Sequence, residues 1–104
     1  MRLSSKDHLR VDELIEICKK HQGEYIPGDH GPGSWATTYS NQFIEASAEM
    51  YAIFERSGSD WPVLTLSQYL KRAGIRSCRG STMNIDKVDY LYITHLKSKV
   101  EKYK

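Results

Sequence analysis

Apolar residues recur at helical spacing along most of this chain, and no stretch sustains the two-residue alternation of a half-buried strand. What it can fold into is therefore a set of packed helices. The pattern is strongest after Ser34, where Tyr39, Phe43, Ala46, Met50 and Ile53 follow one another at steps of 4, 3, 4 and 3. Trp35, Ile44, Tyr51 and Phe54 widen that stripe beyond what a lone amphipathic surface helix carries. Ser34 is the expected N-cap, Arg56 the expected end before Ser57-Gly58, and this second helix the expected centre of the domain.

Three further helices are expected around it. Val11, Leu14, Ile15 and Cys18 form one face of a first helix over 6–21, opened by Ser4 with Asp7 and stopped at Gly23. A capping box of Thr65 and Gln68 predicts a third helix from Leu66 to Ala73, with Gly74 as its left-handed terminator and Ile75 set to touch Leu70. Asn84 opens the fourth, whose core face reads Ile85, Val88, Tyr92, Leu96, Val100 and Tyr103. The fold class expected is all-α: a compact bundle of about four helices around a long central helix 2, as one domain over 1–104. A chain of this length buries roughly 60–70% of its extended surface, enough for one core.

Two connections break the helical pattern. Residues 23–34, GEYIPGDHGPGS, hold four Gly and two Pro in twelve positions, which predicts an irregular loop. It exceeds the two to eight residues a helix connection needs, so it is a candidate contact segment, with Tyr25, His30 and Trp35 at its margins. Residues 71–80, KRAGIRSCRG, combine four cations with two glycines and lead toward the fourth helix. Backbone amides and a helix N-terminus suit an anion, and Arg76 and Arg79 can grip phosphate in forked contacts.

Charge supports that reading. From Lys71 onward nine Lys/Arg face three acids, a local net of +6, while the preceding two thirds sum to −4. The whole-chain +2 conceals this division. A field of that shape favours a polyanion at the basic end. The expected function is a small non-enzymatic binder of nucleic acid or a nucleoprotein complex, using Lys71, Arg72, Arg76, Arg79, Ser81 and Lys87. It should touch phosphates and read few bases. The alternative is a protein-protein module, such as a small inhibitor or adaptor, that docks a partner through aromatic and Arg anchors. Trp61 and Tyr90 join Tyr25, His30 and Trp35 as its contact residues, since neither falls on a proposed core face.

Other chemistry is poorly supported by the residues. The glycines of GDHGPGS lack the spacing and lysine of a P-loop. A glycine-containing turn at Gly74 invites a helix-turn-helix, but the recognition helix would then carry Gly80 in its middle. Cys18 and His21 stand C-x-x-H, with Asp29 and His30 beyond, yet Cys18 falls on an apolar face. Cys78 and His95 lack any orienting partner for nucleophilic catalysis. No catalytic residue, metal or cofactor is expected. Without a signal peptide or an apolar run able to span a bilayer, the expected location is cytoplasmic and no membrane is expected as partner, with both cysteines reduced.

Overall fold

Ser4 starts the first helix as its spacing predicts: its Oγ accepts a hydrogen bond from the Asp7 amide at 3.1 Å, and its carbonyl accepts the His8 amide at 2.9 Å. The computed structural model describes residues 1–21, 25–27, 37–39, 41–75 and 96–104. In chain order these form α1 (Ser5–His21), β1 (Tyr25–Pro27), β2 (Thr37–Tyr39), α2 (Asn41–Arg56) and α3 (Pro62–Arg72). A C-terminal segment follows, helical over 96–100 and tightening into one 3₁₀ turn over Glu101–Tyr103. The described residues are predominantly helical, so the all-α class holds. None of the described helices is long and apolar enough to cross a membrane.

The core lies where α2 meets its neighbours. α1, α3 and the C-terminal turn each pack against α2. Val11, Leu14 and Cys18 of α1 are buried, as are Leu66 and Leu70 of α3, and Leu96 and Val100 of the C-terminal segment. α2 itself buries Phe43, Ile44, Ala46, Ser47, Ala48, Met50, Ala52, Ile53 and Phe54, an arc too wide for a helix with one covered face. The Phe54 and Tyr69 rings meet at a centroid distance of 4.8 Å across α2 and α3. Cys18 is fully buried with its Sγ 4.0 Å from the Ser47 hydroxyl, and desolvation pushes its thiol up to about 12. It is a core residue, unsuited to supplying a thiolate to a metal.

Two helices end in the same way. Gly74 takes φ +73°, its amide donates to the Lys71 carbonyl and the Ile75 amide to the Leu70 carbonyl. That is the Schellman closure expected from the sequence, with Ile75 and Leu70 both buried. Gly58 repeats it after α2 at φ +92°, with the Gly58 and Ser59 amides donating to the Glu55 and Phe54 carbonyls.

The structure corrects three expectations. β1 and β2 pair antiparallel in the register Tyr25↔Tyr39, Ile26↔Thr38 and Pro27↔Thr37, so 23–34 contains regular structure. Tyr39 belongs to β2 and α2 begins at Asn41, because Thr-Thr-Tyr favours an extended backbone over a helical one. The third helix begins at Pro62 instead of Leu66. Pro62 occupies the first turn, where its missing N–H and fixed φ carry no penalty, and Trp61 is the N-cap without a side-chain bond. Thr65 is inside the helix, where its hydroxyl pairs with that of Ser59 at 2.8 Å and no capping box with Gln68 exists. The N-cap Ser34 and the start of the fourth helix at Asn84 lie outside the described residues.

Candidate functional site

Lys71 and Arg72 form the last turn of α3, both exposed. Packing aims them outward: Leu70 and Leu66 face the core, which leaves positions 71 and 72 on the opposite side. Neither makes an ion pair with a carboxylate among the described residues. The Arg72 guanidinium carbon instead stands 5.1 Å from the centroid of the Tyr69 ring, a cation–π placement that leaves its hydrogen-bond donors open. Two cations here also complement the negative end of the α3 dipole, a structural duty compatible with a ligand role.

Lys99, Lys102 and Lys104 of the C-terminal segment are arranged differently. Lys99 and Lys102 donate to Glu45 Oε1 at 3.2 and 3.0 Å, and the Tyr103 hydroxyl donates to Glu45 Oε2. Lys104 donates to Glu55 and Glu101, each at 3.0 Å. The Tyr103 hydrogen bond, with Lys102 next, holds the Glu45 carboxyl down at about 2. Burial and the Glu45 charge push Tyr103 up to about 12, so it remains a hydrogen donor at any physiological pH. Charges far apart in sequence thus meet in space, and part of the +6 excess of the C-terminal third is neutralised by α2.

A second ion-paired region ties α1 to α2. Arg10 forks onto Glu49, with NH2 at 2.8 Å from Oε1 and Nε on Oε2, and reaches Glu13 at 2.9 Å. These carboxylates raise its pKa further above the ordinary arginine value, the Glu49 bond most of all. Arg56 donates to Asp7 at 2.8 Å, so Asp7 serves an inter-helix bridge in addition to the first turn of α1. Between these helices lies a groove of about 360 Å³ with an apolar floor of Leu14, Ile17 and Ala46 and a rim that includes Arg10, Glu45 and Tyr103. Its charged rim groups are already paired, Arg10 with Glu49 and Glu45 with Lys99 and Lys102.

Of the expected contact residues, Trp61 is 63% exposed at the start of α3 and Tyr25 is the first residue of β1. Arg76, Arg79, Ser81, Lys87, His30, Trp35 and Tyr90 lie outside the described residues, as do Cys78 and His95. Among the described residues no group of three His, Cys, Asp or Glu is placed to hold a metal ion. Sequence reasoning missed the role of Glu45. Its only advance signal was a polar position beside the apolar stripe of α2, which many solvated residues share. No protein-family model, no characterised protein and no solved structure matches this chain.

Proposed function

We propose that this chain is a small non-enzymatic binding domain over 1–104, built around α2, that engages a polyanion, nucleic acid first of all, through the basic end of α3. One observation carries the reading: Lys71 and Arg72 are exposed with no carboxylate partner among the described residues, while the lysines at 99, 102 and 104 are held by acids of the fold. Cations with no internal partner are the ones that can neutralise phosphate at little cost. Arg76, Arg79, Ser81 and Lys87 follow close behind in sequence, and the proposal extends to them as further phosphate contacts. Binding of this kind is electrostatic and weakly selective, since none of these groups is assigned to a base edge.

The test is the salt dependence of binding to a labelled oligonucleotide. Lys71→Ala with Arg72→Ala should flatten the slope of log K against log salt by about 1.8, from roughly 0.9 per phosphate contact. An unchanged slope removes these two residues from the site. A second reading has its own observation in Trp61, whose ring is largely exposed before Pro62. Aromatic anchors of that kind mark protein interfaces, and an interface of that class is much less salt-sensitive. Capture of partners from a native lysate, with and without nuclease, separates the two: loss of every partner on nuclease treatment favours nucleic acid, and a nuclease-resistant partner released by Trp61→Ala favours protein.

A further inference from the structure

We propose that Glu45 and Glu55 act as a cation mask, holding Lys99, Lys102 and Lys104 on the protein's own surface and so withholding them from a polyanion. The inference deepens the polyanion reading above and rests on it. Three ammonium groups and the three carboxylates of Glu45, Glu55 and Glu101 form this cluster, which is neutral as a unit. It is also accessible: the side chains of Lys102 and Lys104 are 61% and 43% exposed. These lysines are therefore neither structural in the sense of being buried nor free in the sense of being unpaired.

Packing explains why the pairing is built in. Leu96 and Val100 are buried, and Tyr103 packs beside them with its hydroxyl on Glu45, so the backbone of the segment is anchored. Flexible four-carbon stems then leave the lysine heads as the only parts free to change partner. Glu45 receives three donors from this one segment, which fixes their heads against α2 with the charges only partly buried. An exposed pair of this kind is worth only a few tenths of a kcal/mol to about 1 kcal/mol. The mask therefore contributes little to folding while cancelling the long-range attraction of three cations.

A charge cycle tests it, using fluorescence anisotropy of a labelled oligo(dT) over a salt series. Glu45→Gln with Glu55→Gln should steepen the slope by about 1.4 to 2, from roughly 0.7 on a single strand for each lysine released, and tighten binding at low salt at least about tenfold. The control is Asp12→Asn with Asp60→Asn, which changes net charge equally at exposed positions outside the cluster. It should leave the slope near that of the parent. Lys99→Gln with Lys102→Gln should do nothing in the parent and abolish most of the gain in the Glu45→Gln/Glu55→Gln background. An equal gain in the control pair, or a parent weakened by Lys99→Gln/Lys102→Gln alone, overturns the mask. Failure of the polyanion reading looks different. In that case neither the parent nor the unmasked variant binds oligo(dT), whereas binding by the unmasked variant alone upholds the mask and removes only the role of Lys71 and Arg72. Glu→Gln keeps the shape of both side chains, and circular dichroism of each variant should match the parent.

Discussion

The end of α3 and the C-terminal turn both carry clustered cations, yet they spend their charge in opposite ways. Lys71 and Arg72 follow a buried Leu70 and project from a helix end with no acid paired to them among the described residues. Lys99, Lys102 and Lys104 follow a buried Leu96 and Val100 and turn back onto Glu45 and Glu55. What separates them is the neighbour across the interface. The lesson is that a count of charges along a sequence measures supply, and only the fold decides how much of it reaches solvent unpaired.

The largest effect that can sharpen this contrast comes from the anchors beneath the two regions. Leu70→Ala should cost about 2–5 kcal/mol in denaturant unfolding, because a fully buried side chain leaves both its transfer energy and a cavity. Lys71→Ala beside it should cost less than about 0.5 kcal/mol. Were the two costs equal, the last turn of α3 would not be the exposed, uncommitted surface described here.

A smaller effect belongs to the C-terminal cluster. Glu45→Ala should lower stability by about 1 kcal/mol, since it leaves a partly buried tyrosine hydroxyl and two lysines without their acceptor. The same residue carries a pH signature. Because its carboxyl is depressed from 4.5 to about 2 in the folded chain, its contribution is fully present above pH 4.5 and is lost as pH falls from 4.5 toward 2. Parent and Glu45→Ala should therefore converge in thermal stability as acid is added, and a gap that stays constant to pH 2 contradicts the assigned network.

An effect of similar size concerns Gly74. Its φ of +73° disfavours any side chain, although an added Cβ would meet nothing within 4 Å. Gly74→Ala should cost about 1 kcal/mol through backbone strain alone. Asn at the same position should cost less, since it tolerates the left-handed region better than Ala. A cost well above 2 kcal/mol would mean that the closure of α3 also positions Ile75 in the core.

These regions differ in how readable they were. The Schellman closure of α3 was legible because glycine, the preceding helix and the apolar Ile75 all sit within a few residues, and local chemistry decides the outcome. The core face of α1 and the apolar arc of α2 were legible for the same reason, as periodicity is a local signal. The start of α3 was misread since two plausible starts compete within four residues, and Pro62 prevailed over Thr65. The strand at Thr37–Tyr39 was missed because its partner at Tyr25–Pro27 lies beyond a stretch of Gly and Pro, so the pairing has no local trace. Glu45 was illegible in principle. Its partners stand 54, 57 and 58 residues further along the chain, and only the fold brings them together.

Cys18 gives the interface between α1 and α2 a clock. Its sulfur is wholly enclosed, and at pH 8 a thiol held near 12 is ionised in only about one molecule in ten thousand. Alkylation must therefore wait for α1 to lift from α2, and with Cys78 changed to Ser the rate of labelling becomes a direct count of those openings. Changes that loosen the Arg10 fork onto Glu49 should speed that clock, while changes at Lys71 and Arg72 should leave it running at the same pace.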